Sequence, residues 1–434
     1  MIKTGTRREN IMKTAKIGVI GCGNRGSSYA DYIVDHPEEA RLVCACDVLP
    51  ERLAWYGERY QLPGEMCFED ARTMLDTVEG LDLVIVSVLD IDHFRMAKMV
   101  MERGIHCMLE KPISPDPWEC MELMNIAKAH DCQLLICHVL RYTPLFSALK
   151  AVLEEGSIGE IQAINHAEFV GYEHFNHSYV RGNFRNLSPF ILAKACHDLD
   201  ILNWLTEKKC LKISSFGELN YFKKENAPEG SAERCLECSV EQDCVFSAKK
   251  RYLGEYTGWP VSMISVDTSL EAREKALAEG KYGRCVFHCD NKVVDRQVVN
   301  MLYEDGVTVS FTLNGFNAQG FRETRIFGTK GDILANFGED YIRIRLFGEP
   351  GEKIIQPEEV PGSHGGGDYC MMKDVIRCVR EDKWDGVRTG ADQSVASHIM
   401  AFAAEESREK SIIVDIEAFK AEIMAQNANN KERK

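Results

Sequence analysis

The sequence predicts an α/β protein in two parts. A doubly wound parallel sheet comes first, followed by a C-terminal α+β domain with an open, largely antiparallel sheet. Three observations predict this. Short apolar runs alternate with amphipathic stretches through the first third of the chain. Strands with one wet face then replace them. At 434 residues the chain is too long for one ordinary core, so two domains are expected.

The parallel part reads in order. Strands are expected at 15–20, 41–47, 82–88, 106–110 and 133–139, and helices at about 24–35, 49–60, 92–104 and 116–130. Apolar strands separated by amphipathic helices imply a parallel sheet covered on both faces. This domain spans 15–140. Residues 1–14 carry basic side chains without an apolar core after them, which makes them a frayed leader and not a signal peptide.

The second domain spans 141–434. "PLFSALKAVLEEG" is a helix closed by Gly156, and "EIQAINHAEFVGY" alternates like a strand. "RQVVNMLYEDGVTVSFTLNGF" reads as two strands around Asp305-Gly306, a strong hairpin signal. "RETRIFGTKGDILANF" and "DYIRIRLFG" continue the sheet, and "ADQSVASHIMAFAAEESREK" is a closing helix. Residues 222–294 are irregular, bear cysteines and read as an insertion.

Composition excludes several classes. Hydrophobic content of 45% and charged content of 27% describe a water-soluble globular protein. A net charge of −15 argues against nucleic-acid or anionic-membrane partners, which favour a basic face. No window approaches the 18 or so apolar residues of a membrane span. Most of the 17 cysteines lie in apolar runs, where they act as small hydrophobes. Without an export signal a disulfide framework is not expected, and the cytoplasm is the default compartment.

"KIGVIGCGNRGSS" places Gly21, Gly23 and Gly26 after a buried strand and before a helix, with Asn24 and Arg25 inside the turn. A plain turn is the alternative. A dinucleotide site needs this context, because the helix N-terminus offers free N–H groups to a pyrophosphate. It also needs an acid ending the second strand. Asp47 ends "ARLVCACD", 21 positions after Gly26. A carboxylate there accepts ribose hydroxyls and repels a 2′-phosphate, which favours NAD over NADP, although Arg52 lies close by.

"MLEKPIS" ends the strand at 106–110, the sheet edge where ligands bind in such folds. Lys111 there points toward the nicotinamide end of a bound cofactor, and Glu110 is placed to hold it; a surface Lys–Glu pair is the alternative. "LAKACHDLDILNWL" is a helix in which His197 and Asp200 share a face, as do Lys194 and His197. A histidine oriented by a carboxylate is a common general base, and a core histidine is the alternative.

Together these motifs, with "LEKPIS" followed by "ICHVLRYTP", resemble the Gfo/Idh/MocA family of NAD(P)-dependent oxidoreductases. The resemblance implies an N-terminal Rossmann domain and a C-terminal α/β domain with an open sheet, acting on sugars, polyols and their derivatives. Many members carry an aspartate four residues before the histidine, where this chain has Ala193 followed by Lys194. The change resembles a subgroup whose helix reads K-x-C-H-D. A homo-oligomer through the C-terminal sheet is also expected.

Two further groups are candidates. His177, Arg181, Asn183 and Arg185 in "HFNHSYVRGNFRN" offer donors suited to sugar hydroxyls or a carboxylate, with Lys194 beside them; a polar loop would look similar. "SHGGGDYC" is either a cleft loop or a helix start capped by Asp368. Cys235, Cys238 and Cys244, completed by Cys285 or Cys289, have the spacing of a structural zinc site. Separate free thiols or an iron–sulfur cluster are the alternatives.

The expected activity is NAD-dependent oxidation of a hydroxyl on a sugar, polyol or glycoside. Lys111, His197 and Asp200 would be catalytic. Gly21, Gly23, Asn24, Arg25, Gly26, Asp47, Glu110 and Lys111 would hold the cofactor. A glycosidase that recycles tightly held NAD and a non-catalytic NAD-binding regulator are the competing readings.

Overall fold

The computed structural model describes residues 13–181 and 188–432. The first sheet has six parallel strands: β1 (Ala15–Ile20), β2 (Ala40–Cys46), β3 (Cys67–Phe68), β4 (Leu83–Val86), β5 (His106–Leu109) and β6 (Leu134–Ile136). Between them run α1 (Asn24–Asp35), α2 (Pro50–Arg59), α3 (Ala71–Thr77), α4 (Asp90–Met101) and α5 (Pro117–Ala129). The spatial order is β3-β2-β1-β4-β5-β6. The order reverses between β1 and β4, which opens a crevice at their carboxyl ends.

Local chemistry explains several of these elements. All of β4 is buried, so its apolar run needs no alternation. At α5, Asp116 accepts hydrogen bonds from the N–H groups of Trp118 and Glu119, and Pro117 opens the first turn. The expectations omitted β3 and α3, a two-residue edge strand and a single short helix. The strand expected over 133–139 is shorter, because the chain leaves the ladder for a turn over Val139–Tyr142.

In the second part, α6 (Pro144–Glu154) leads into β7 (Ile161–Gly171). Short α7 (Tyr172–Phe175) and α8 (Phe190–Ala193) precede α9 (Cys196–Thr206) and β8 (Cys210–Glu218). The insertion holds α10 (Ala248–Tyr252) and α11 (Leu270–Glu279) around a small core of its own. Then come β9 (Arg296–Tyr303), β10 (Thr308–Asn317), β11 (Phe321–Gly328), β12 (Gly331–Asn336), β13 (Tyr341–Leu346) and β14 (Lys353–Ile355). The chain closes with α12 (Gly367–Glu381), α13 (Ala391–Lys410), β15 (Val414–Asp415) and α14 (Ile416–Glu432).

These strands form one nine-stranded sheet, ordered β14-β13-β12-β11-β7-β10-β9-β8-β15. Only β7 and β10 pair in parallel; the other ladders are antiparallel. The β9–β10 hairpin turns at Asp305 and Gly306, whose φ angles are 55° and 77°. Two positive φ values in succession match the twist of a tight hairpin. On β9, Gln297, Val299, Met301 and Tyr303 are buried while the residues between them are exposed, so one face of the sheet is covered.

One helix crosses between the two parts. Met371, Met372, Val375, Ile376 and Val379 of α12 share a core with Ile17, Val19, Tyr29 and Ile33 of β1 and α1. The chain beyond residue 141 therefore returns to cover the parallel sheet. Most of the expected leader, residues 1–12, lies outside the described residues. Among the described residues, no helix is long and apolar enough to cross a membrane.

Candidate active site

The glycine turn is built around close approach. Gly21 has φ +101°, and a Cβ on it would lie 2.5 Å from the Ser87 carbonyl oxygen. A Cβ on Gly26 would lie 2.1 Å from the carbonyl oxygen of Gly21. These two glycines let β1 and α1 close against the end of β4. Gly23 differs, since a Cβ there would meet nothing nearer than the Arg52 guanidinium at 4.0 Å. The space before α1 is therefore open, and no side chain caps the helix N-terminus. Its free N–H groups suit a phosphate.

Asp47 stands beside this turn. Its carboxylate accepts the N–H of Cys22 at 2.8 Å and that of Leu49 at 2.9 Å, which fixes it at the tip of β2. The turn, the open helix end and the fixed acid fit a dinucleotide.

Asn24 opens α1, but Arg25 turns away from the open space. Its guanidinium binds Glu110 at 2.7 Å, the Tyr29 hydroxyl at 2.6 Å and both oxygens of Asp368 at 2.9 and 2.6 Å. The expected cofactor contact is thus replaced by a bridge between the glycine turn and the start of α12. Burial opposes ionisation of Asp368, but the Arg25 guanidinium outweighs it and holds the carboxyl below its usual range. The helix-start reading of "SHGGGDYC" needs correction, because Gly366 precedes α12 and no side chain, Asp368 included, caps it. Asp368 lies in the first turn of α12, and its loop reaches the cleft, with His364 Nδ1 3.0 Å from the Asp368 carboxylate.

Lys111 follows β5, and its Nζ donates to the carbonyl oxygen of Ala193 at 3.0 Å. Glu110 accepts the Lys111 N–H at 3.0 Å. His197 lies in the first turn of α9 and is 5% exposed. Its titration is pushed well below the ordinary value, first by burial and then by the charge of Lys111, with His138, Arg322 and His364 adding to the effect. The ring is therefore neutral near pH 7, ready to accept a proton. Lys111, just past the carboxyl end of β5, is thus near enough to His197 for its charge to act on the ring.

Asp200 does not reach His197. Arg141, from the turn after β6, takes both its oxygens at 2.6 and 2.7 Å. Helical spacing puts Asp200 near the histidine's face, but a buried guanidinium captures the carboxylate. Burial raises the Asp200 titration, and Arg141 works against that. Asp198 is also committed elsewhere, to His166 at 3.0 Å and Arg322 at 2.6 Å. The side chain that meets His197 is His138, with 3.4 Å between the two Nδ1 atoms.

Lys194 lies by the cleft and pairs with Glu168 at 3.1 Å. Arg322 also stands 2.7 Å from Glu168, although its Nε–H is directed at Asp198. The other expected substrate contacts lie elsewhere. His177 donates or accepts at the Tyr252 hydroxyl at 2.9 Å and stacks on Tyr282 with 4.7 Å between rings. Burial pushes its titration down to about 3. Arg181 binds the carbonyl oxygens of Arg284 and Phe246. Both residues anchor the insertion instead of facing the cleft. Asn183 and Arg185 lie outside the described residues.

The zinc expectation also needs correction. Cys235, Cys238, Cys244 and Cys285 line one cavity of about 10 Å³. Yet among the described residues no three His, Cys, Asp or Glu side chains are disposed to hold a metal. Arg181 stands 3.7 Å from the Cys235 sulfur, so a side-chain cation already faces the thiols. The Cys289 thiol turns to the Cys285 carbonyl oxygen at 3.1 Å. Burial raises the Cys244 and Cys285 thiols, and raises Cys289 to about 11, which keeps them protonated.

Sequence reasoning assigned no role to His138, Glu168, Arg322 or His364. His138 carried a signal, being a polar residue just past the carboxyl end of a parallel strand.

Comparison with known proteins identifies the family and the fold. Residues 15–138 match the model for an oxidoreductase family with an NAD-binding Rossmann fold. Residues 150–416 match the model for that family's C-terminal alpha/beta domain. The YteT protein of Bacillus subtilis is 25% identical over 332 residues, 71% of this chain and 75% of its own. A glycosyl hydrolase family 109 protein of Solibacter usitatus is 27% identical over 397 residues, 85% of this chain and 80% of its own. In fold, the chain is similar to scyllo-inositol dehydrogenase from Lactobacillus casei, solved with NAD(H) and scyllo-inositol. The TM-score is 0.64 at 19% identity, covering 93% of this chain and 99% of that one. With both domain models matched along most of its length, the chain belongs to the Gfo/Idh/MocA oxidoreductase family.

Proposed function

We propose that this oxidoreductase oxidises a hydroxyl of a sugar, polyol or glycoside, with NAD preferred over NADP. The observation that carries the reading is the nearness of Lys111 and His197, close enough for the lysine charge to depress the histidine's titration. Nucleotide binding alone needs neither, which speaks against a non-catalytic regulator. NAD bound at that turn supplies the hydride acceptor. His197 takes the hydroxyl proton on Nε2, in the neutral state that burial enforces. Lys111 stabilises the negative charge that develops on the substrate oxygen, an interaction stronger in the transition state than in the ground state. Asp47 reads the ribose hydroxyls, and the Arg25 bridge holds the loop before α12 against the nucleotide side. Asp200 acts through Arg141 to keep α9 in place and does not orient His197.

A second reading keeps the cofactor and changes the net reaction to glycoside cleavage through transient oxidation. The likeness to the glycosyl hydrolase family 109 protein, over most of both chains, favours keeping it. Assembly through the outer face of the large sheet belongs to the same proposal, since Phe216, Val298 and Leu302 are exposed on β8 and β9.

A panel of sugars, polyols and glycosides, read at once for NADH and for cleaved products, tests the proposal. NADH formed in step with an oxidised product supports it. Cleavage without net NADH selects the second reading, and neither signal from any compound overturns both.

A further inference from the structure

The mechanism above leaves the base without an orienting group, because both candidate carboxylates are bound elsewhere. His138 is fully buried, and the only hydrogen bond of its side chain among the described residues is the one to His197. Its Nε2 is shielded from solvent and has no hydrogen-bond partner among the described residues. A third ring, His398, packs against it at 5.5 Å but is itself spent. His398 Nδ1 donates to the Ser394 carbonyl oxygen at 2.8 Å, and its Nε2 accepts the Ile113 N–H at 2.9 Å.

An orphaned buried polar atom calls for a reason. An apolar side chain would fill this space with no unmade hydrogen bond. What a histidine adds is one ring nitrogen aimed at the base. On the other side, His197 Nε2 makes no hydrogen bond within the described residues and is not among the shielded polar atoms. The base thus has one nitrogen toward His138 and one toward the cleft.

We propose that His138 is the positioning residue for His197. Its Nδ1 accepts the Nδ1–H of His197 and so leaves the Nε2 lone pair of His197 facing the substrate. The inference rests on the reading of His197 as the base. In the opposite arrangement His138 would donate, His197 would carry its hydrogen on Nε2, and the base would have no lone pair in the cleft.

A neutral partner suits these surroundings. His197 is faced by Lys111 after β5, by Arg322 on β11 and by His364 before α12. His138 is faced by Lys111, Arg141, Glu110 and Asp198, and by His398 from α13. A carboxylate in place of His138 would fix the same tautomer but raise the proton affinity of His197. A proton taken from substrate would then leave less readily. The imidazole fixes the tautomer without adding charge.

Long-range proton–nitrogen NMR of histidine-labelled, NAD-free protein tests the proposal between pH 5.5 and 8, with His197 assigned through His197→Gln. The native protein is expected to show His197 as the neutral Nδ1–H tautomer throughout. His138→Asp is expected to raise the His197 midpoint by at least one pH unit, about tenfold in proton affinity. His138→Phe is expected to mix the two tautomers while NAD still binds. His138→Asn, whose amide oxygen accepts a hydrogen bond, is expected to restore the single tautomer. An Nε2–H tautomer in the native protein, or an unchanged tautomer in His138→Phe, overturns the proposal. No substrate is needed, so failure here is distinct from failure of the dehydrogenase reading. That reading, if correct, adds a lowered kcat at unchanged KM in His138→Phe.

Discussion

Replacing Asp200 by alanine separates two accounts of one residue. If Asp200 oriented the base, its loss would cut turnover and leave stability nearly intact. The structure instead places it in a buried ion pair, with side-chain exposures of 3% for Arg141 and 1% for Asp200. Removing one partner of such a pair strands the other charge, at a cost of about 3–5 kcal/mol. Arg141 keeps the Arg388 carbonyl oxygen and the Gln393 side chain, each at 2.6 Å, which places the loss near the lower end, about 3 kcal/mol. Urea unfolding of native protein and Asp200→Ala, followed by fluorescence and circular dichroism, measures it. NAD affinity and the tautomer of His197 should stay unchanged. An Asp200→Ala protein as stable as the native one, with turnover down by two orders of magnitude, would refute the reasoning.

Other outcomes follow from the same contacts. Asp47→Ala should narrow the preference for NAD over NADP, measured by titration with each nucleotide; equal affinities in the native protein would remove the role given to Asp47. Stability should fall as pH drops below about 6.5, the ordinary histidine value. His93, His138, His177, His197 and His398 are buried with depressed titrations. The unfolded chain therefore takes up protons in a window where the native state does not, and each group contributes up to about 1.4 kcal/mol per pH unit. Melting temperatures flat from pH 7 to 5 would contradict this. Arg181→Ala should loosen the insertion, seen as faster proteolysis within 222–294, with NAD binding unchanged.

The parallel sheet and the glycine turn were legible because their signals are local. Buried strands read as apolar runs, and Gly21 and Gly26 are required by contacts that any residue with a Cβ would break. The open sheet was legible from alternation and from the Asp305-Gly306 turn. Partners distant in sequence were not legible. His138 and Arg141 each meet their α9 partner across 59 positions, and no spacing within α9 announces either contact. His177 and Arg181 looked like substrate ligands because a polar loop near a catalytic helix offers donors. Their actual partners, Tyr252, Tyr282 and Arg284, come from an insertion without periodicity. Cysteine spacing pointed to a zinc site with its fourth ligand open between Cys285 and Cys289. Cys285 lines the cavity with the three clustered thiols, but spacing carries no information about the arginine that faces Cys235.

Acid–base assistance by Lys111 and His197 to hydride transfer from substrate to NAD is the central claim. The most direct measurement is NADH formation at 340 nm with the best compound from the panel, comparing native protein with His197→Ala and Lys111→Ala, each first shown to bind NAD. The account predicts NADH formation by the native protein and a loss of about 100-fold or more in either variant, the scale of an acid–base group. Near-native turnover in His197→Ala with NAD bound would contradict it.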